Sequence, residues 1–464
     1  MARQPLRFVQ ASRLLLDHQL AGPRAPGGVA RALSSDGAFD SSGSLAALGA
    51  DDRAVLRDAS LIAWKRLIDA CLEQEVDFLL LGGDCFDDRD EGLRGQVELV
   101  RGFRRLADRN IPVYLTGGST DPWTSWLPSL DLPHNVRRLG LDCGSQAVIH
   151  RGGDEDSGPA IARLQWVHSL FVDETGDMSG DDAGRSLPDV RGDSDADDLL
   201  RIAMIRGGLT CAANGGLYGS GLCYPAEDLH RLGVDYWAFS GHHAEWSYQP
   251  YEGGVACDSG GTQGFSPAET GPHGALLVNV DEDGDLETTF LSTAPVRWET
   301  LPVRLSPSVD YDDLLRDMRA ELQEVARQAT DRLWLVSWDV RGTGPLADSF
   351  LDPAWRNKLN AELHRQPGVP DVSVWSAAWR FAGMPRWRAN ELTPHPFTID
   401  YTNALKERVA KPETALRECL DRSTLRGGAW DSRLEGVLAA LDPDEIEAAA
   451  RRWGLTWFDM DTAA

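Results

Sequence analysis

A chain of 464 residues exceeds one ordinary domain and predicts two or three. With 42% hydrophobic and 25% charged residues it can bury a sizeable core, which excludes a disordered or fibrous chain and predicts a soluble globular one. A net charge of −26 argues against direct binding to nucleic acid, whose affinity comes mostly from basic surfaces meeting phosphates. Apolar runs such as Phe78 to Leu81 are too short to span a bilayer. The opening residues, Met1 to Arg7, contain no apolar segment of signal-peptide length. These features predict a cytoplasmic protein with no membrane contact. The cysteines Cys71, Cys85, Cys143, Cys211, Cys223, Cys257 and Cys419 are odd in number, irregularly spaced and free of CxxC pairs. They read as buried reduced thiols and not as a disulfide framework or zinc knuckle.

In chain order, Phe8 to Leu16 is a short apolar run and predicts a first strand. Gly22 to Ala50 reads as a surface loop. Arg53 to Glu73 places apolar residues at helical spacing. Val76 to Leu81 is a continuous apolar strand that ends in Gly82, Gly83 and Asp84. A helix at Leu93 to Arg109 precedes a strand at Ile111 to Leu115. Strand, helix and strand in this rhythm imply an α/β layer, with functional residues at the strand ends. Residues 173–198 carry ten acidic side chains and predict a disordered acidic insertion. Strands follow at Ile202 to Ile205 and Val234 to Phe239, then a hairpin over Gly274 to Val280 and Leu286 to Leu291. After Trp298 the pattern becomes helix (Tyr311 to Gln328), strand (Leu333 to Val340), helix (Pro353 to His364) and strand (Val372 to Trp379), a small α+β unit. Residues 386–396 read as a linker and the rest as helical. Asp442, Pro443 and Glu445 mark a helix start, and Trp453, Trp457 and Phe458 are interface candidates near the end.

Several short motifs, weak singly, fall in one order and spacing. They are Ala11-Ser12-Arg13-Leu14-Leu15, Gly83-Asp84-Cys85-Phe86-Asp87, Gly118-Ser119-Thr120-Asp121, Arg206 after a strand, and Ser240-Gly241-His242-His243. Together with Gly260 to Gly264 and Glu269 to Gly274, they resemble the SbcD-type (YhaO-like) DNA-repair exonucleases of the calcineurin-like metallophosphoesterase superfamily. The resemblance covers roughly residues 6 to 380. It implies a four-layer α-β-β-α sandwich over residues 1–296, a small α+β capping domain over 297–385 and a helical C-terminal partner-binding region over 386–464. In that family Asp, Asn and His at strand ends hold two metal ions, usually manganese, ~3.5–4 Å apart. Here Arg13 and Leu15 stand at the first two ligand positions, and Ser119 replaces an Asn ligand. Thr120 stands at the catalytic His position, Arg206 at a lone His, and Gly241 at another. Asp84 matches the bridging carboxylate and His243 a final ligand. A one-residue slip would bring His242 into play.

Two surviving ligands do not hold a pair of divalent ions, and Arg13 and Arg206 place positive charge where cations would sit. The resemblance therefore implies a non-catalytic subunit without a cofactor, attached to an SbcC-type coiled-coil ATPase and meeting DNA only indirectly. The alternative is an active, divergent manganese-dependent exonuclease or phosphodiesterase. A third reading makes Arg13 and Arg206 a small-anion sensor. Asp84 has a plainer role as well, capping turn amides or pairing with an arginine, and Asp87 and Asp121 read as turn formers. The guanidinium of Arg13 or Arg206 is expected within ion-pair range of Asp84, in place of the lost cations.

Overall fold

The computed structural model describes residues 4–382, apart from 21–47, 88–92, 128, 143–145, 155, 157, 168–198, 211–222, 226–228, 230–232, 242–244, 327–330, 343–344, 351, 366 and 370–371. The expected acidic insertion and the region 386–464 lie outside the described residues.

The chain opens with β1 (Leu6–Ala11), α1 (Ala50–Arg57), α2 (Ala59–Glu73), β2 (Phe78–Leu81), α3 (Arg94–Ala107), β3 (Val113–Leu115) and β4 (Val136–Arg138). Then come β5 (Gln146–His150), β6 (Ala160–Val167), β7 (Leu200–Arg206), β8 (Gly208–Thr210), β9 (Cys223–Pro225), β10 (Tyr236–Ser240), β11 (Ser247–Tyr251) and β12 (Gly254–Asp258). A hairpin of β13 (Gly274–Val280) and β14 (Leu286–Ser292) leads to β15 (Val296–Leu305), α4 (Tyr311–Ala326), β16 (Leu333–Gly342), α5 (Pro345–Ser349), α6 (Pro353–Arg365) and β17 (Ser373–Ala382).

Two six-stranded sheets result, ordered β14-β13-β1-β2-β3-β4 and β11-β12-β10-β7-β6-β5. Strands β1 to β4 run parallel, as do β6, β7, β10 and β12. Alternation along β1 decides which residues meet which layer. Phe8 points between the sheets, where Phe78, Leu80 and Tyr114 meet Ile202, Met204 and Tyr236. Phe8 stacks on Phe78 at 4.8 Å and meets Tyr236 edge-on at 5.0 Å. Val9 and Ala11 point outward, under Trp64, Leu67, Leu99 and Phe103 of α2 and α3. Each such large apolar side chain contributes about 1.5–3 kcal/mol on burial. Ala203, Ile205, Trp237 and Phe239 on the outer face of the second sheet are buried too. Both sheets are therefore covered on both sides, and the core is an α/β sandwich of two sheets between outer layers.

The single helix expected over 53–73 is two. Asp58 leaves helical geometry (φ −104°, ψ 15°), and its carboxylate pairs with Arg94 of α3 at 2.9 Å. The first strand stops at Ala11, because the apolar residues Leu14 to Leu16 are buried in a loop and not in a sheet.

Strands β15, β16 and β17 form a separate parallel sheet. One face buries Trp334, Trp338 and Trp379 beneath Leu314 and Leu322 of α4 and Leu359 of α6. The other face sets Trp298, Leu335 and Trp375 against Leu48 and Ala59, so the small sheet packs on the sandwich. Among the described residues no helix is long and apolar enough to cross a membrane.

Candidate functional site

Five strands of the two sheets, β1, β2, β3, β7 and β10, end toward one place, and the loops that follow them carry Arg13, Asp84, Ser119, Thr120 and Gly241, with Arg206 closing β7. The carboxyl ends of parallel strands are where such folds place their chemistry. The backbone there is unusual. Arg13, Leu15, Asp17 and Asp84 adopt left-handed φ values of 50°, 41°, 66° and 52°. For side chains of these types that costs about 1–3 kcal/mol each and persists only where the surroundings enforce it. Here the loops after β1 and β2 are tied together. Arg13 N donates to Gly83 O at 3.1 Å, Leu15 N to Asp84 O at 3.0 Å and Leu16 N to Cys85 O at 2.8 Å.

Asp84 is buried and fully engaged. Its Oδ1 accepts from Thr120 N at 2.9 Å, Thr120 Oγ1 at 3.0 Å and Ser119 Oγ at 3.1 Å. Its Oδ2 lies 3.3 Å from Arg206 Nη2. Burial on its own would raise the carboxyl pKa, but the Arg206 charge and the donors from Thr120 and Ser119 outweigh it and hold the group below the usual aspartate value. Thr120 and Ser119, at positions where the resemblance implies a catalytic histidine and a ligand, act here as hydrogen-bond donors to this carboxylate.

Asp121 is a turn former, as expected. Its Oδ1 accepts from the amides of Asp84 and Gly118, both at 2.8 Å, and its Oδ2 from Cys85 N at 2.9 Å. Burial pushes its carboxyl up to about 7 against the pull of these amides. The carboxylates of Asp84 and Asp121 thus join the loops after β2 and β3, and Gly118 sits where no side chain fits. A Cβ there would lie 2.1 Å from Asp84 N.

The expected ion pair with Asp84 is made by one of the two arginines. Arg206 reaches Asp84, whereas Arg13 turns away to Glu269, with Nη1 and Nη2 on the two carboxylate oxygens at 3.0 and 2.9 Å. The left-handed turn at Arg13 directs its side chain to the loop before β13, where Phe265 lies 5.8 Å beneath the guanidinium. Burial would raise the Glu269 pKa, but Arg13 overcomes that and lowers it. Leu15 is buried. Gly241 has no space for an imidazole, since a Cβ would fall 2.5 Å from the Gly207 carbonyl oxygen. His242 and His243 lie outside the described residues. Among the described residues, no group of three or more His, Cys, Asp or Glu is arranged to hold a metal ion.

Sequence reasoning gave no role to Glu269, although it stands in one of the matched stretches. Its partner is 256 positions away, and nothing local signals that pairing. Gln10 was missed as well. Its Nε2 donates to Phe239 O at 2.8 Å and Cys257 O at 3.3 Å, joining the two sheets just below the site. The signal was present, a polar residue on the inward face of an apolar strand. Asp258, at the end of β12, is buried. It accepts from Gly260 N at 3.0 Å, and burial pushes it up to about 7.

Fold and site together give a two-sheet α/β sandwich with a strand-end site whose central carboxylate faces an arginine. Sequence comparison narrows the class. A family model for the middle domain of the metallophosphoesterase YhaO matches residues 298–382, the span of β15 to β17. The uncharacterized metallophosphoesterase YhaO of Bacillus subtilis (strain 168) is 28% identical over 315 residues, covering 66% of this chain and 72% of that protein. Both matches are to metallophosphoesterases of the YhaO kind, and the chain is similar to them over these spans. Two solved structures are distant. TT1561 of Thermus thermophilus has a TM-score of 0.29 at 11% identity, over 62% of this chain and 99% of that one. The zinc-complexed Vps29 of Entamoeba histolytica has a TM-score of 0.24 at 11% identity, over the same shares. Likeness at this level carries no functional argument.

Proposed function

We propose that this YhaO-like metallophosphoesterase is an SbcD-like subunit that has given up catalysis and serves an SbcC-type coiled-coil ATPase in processing DNA ends. The observation that carries this reading is the Arg206 guanidinium on Asp84, the residue that matches the bridging carboxylate. A carboxylate that bridges metal ions must offer oxygen lone pairs to cations. Those of Asp84 are taken by three hydrogen-bond donors and one arginine. Arg13, Leu15, Ser119, Arg206 and Gly241 do not suit hard divalent ions, so this donor set does not fit a manganese pair and no chemical step runs through one. The charge of −26 suits the same division of labour, in which a basic partner meets the DNA phosphates.

The test is a pull-down of the full chain from its host, with elemental analysis of the purified complex. The expected result is a large ATPase partner and no stoichiometric metal. Manganese is also expected to leave the melting temperature unchanged, since a ligand that binds the native state must raise it. About two metal ions per chain, with manganese-dependent degradation of DNA, would instead establish the active divergent exonuclease.

A further inference from the structure

The segment joining β12 to β13, residues 259–273, is held at several points, among them Ser12, whose Oγ donates to Gly260 O at 3.0 Å, and Thr293, whose Oγ1 donates to Thr262 O at 3.0 Å. Within it Glu269 holds Arg13 through both carboxylate oxygens, at 2.9 and 3.0 Å. Both side chains are mostly shielded from water, at 18% and 16% exposure, so the pair is stronger than a surface ion pair. The segment also grips the first strand of the small sheet. Gly271 N donates to Trp298 O at 3.0 Å, and Thr270 forms a bridge with Trp298. Trp298 Nε1 donates to Gly264 O at 3.2 Å, and Gln263 Nε2 to Val296 O at 2.8 Å. The segment is internally braced as well. Glu269 Oε2 accepts from Phe265 N at 2.9 Å, and the Glu269 carbonyl lies 3.2 Å from His273 Nε2.

We propose that Arg13, at a position where the resemblance implies a metal ligand, is a positioning residue, and that with Glu269 it latches the β15–β17 sheet to the sandwich beside the candidate site. The sheet has other anchors. Arg66 of α2 donates to Thr293 O and Ala294 O, and Trp298 and Trp375 pack on Leu48 and Ala59. The latch adds to these a charged contact that ties the orientation of the sheet to the first-motif loop, and it does not depend on whether the protein holds metal.

Hydrogen exchange read by mass spectrometry on the full chain tests this. In Arg13→Ala, segments 263–273 and 296–305 should exchange about tenfold faster or more, the size expected for the loss of one shielded charge pair. Segment 78–81 in β2 should keep its protection. Glu269→Gln should reproduce the pattern, and it carries the test if Arg13→Ala does not fold, because it retains an acceptor for the Phe265 amide. Arg13→Lys should restore part of the protection, since an ammonium satisfies one oxygen where the guanidinium fork satisfies two. Unchanged exchange in 263–273 and 296–305 overturns the proposal. So does acceleration of the same size in β2, which would mean general loosening of the fold.

Discussion

Replacing Arg206 with alanine should destabilise the protein by about 2–4 kcal/mol. Removing one partner of a buried ion pair typically costs ~3–5 kcal/mol, because the other charge is left without compensation. The Arg206 side chain is 28% exposed, so water replaces part of what is lost and the value falls toward the lower end. Asp84→Asn should cost less in the Arg206→Ala background than in the wild type, with a coupling of roughly 0.5–3 kcal/mol. The dependence on pH has a definite sign. The folded-state pKa of Asp84 is depressed, so its contribution is present above the ordinary aspartate value of about 3.9 and is lost as pH falls through the lower folded value. Asp121 and Asp258, both raised to about 7, act in the opposite sense. Their folded states favour the proton, so stability from them is greatest below about 4 and declines as pH rises toward 7. Urea denaturation from pH 3 to 7 should show the acid-side loss weakened in Arg206→Ala. Identical curves for variant and wild type would mean that the pair is absent in solution.

Gly118→Ala should be at least as damaging, roughly 3 kcal/mol or more. A Cβ at this position would lie 2.1 Å from Asp84 N, 2.3 Å from Asp121 Oδ1 and 2.4 Å from Asp84 Oδ1. None of these atoms is the far end of a flexible side chain. One is backbone, and the carboxylates are pinned by amides and hydroxyls. Overpacking a tight site usually costs ~1–3 kcal/mol, and more where the neighbours are not free to yield. Gly83 is constrained from the other side, with φ 79°, and a Cβ on it would come within 2.7 Å of Gly118 N. An unfolding free energy from urea for Gly118→Ala within about 0.5 kcal/mol of wild type would show that the loops after β2 and β3 are not in contact.

Much of the fold was legible because periodicity reports burial. The runs at 76–81, 202–205 and 234–239 are buried on both faces and read as uninterrupted apolar strands. The hairpin of β13 and β14 was visible from its alternation and its turn. Strands β4, β5, β6, β8, β9, β11, β12 and β15 were not, and β4 and β11 show one reason. Val136 to Arg138 has three residues, and Ser247 to Tyr251 is an edge strand with polar and aromatic residues and a proline. Neither length nor pattern separates such segments from loop. The site was half legible. The order of the motifs located Asp84, Ser119, Thr120 and Arg206, and the structure brings these four together. The destination of Arg13 was not readable. Its side chain is aimed by a left-handed backbone turn that residue types do not announce, toward a carboxylate far along the chain.

The buried cysteines turn the core into its own reporter. Cys71 lies in the packing between α2 and the first sheet, and Cys257 in the packing between the two sheets. Burial pushes both thiols up to about 12, and Cys85, behind Asp84, well above its ordinary value. A thiol reacts as thiolate, so none of the three is open to alkylation while its layer stays closed. With Cys143, Cys211, Cys223 and Cys419 replaced by serine, the labelling rate at each remaining position counts how often that layer opens. If the outer helical layer separates before the sheets part, Cys71 should be modified first and Cys257 last.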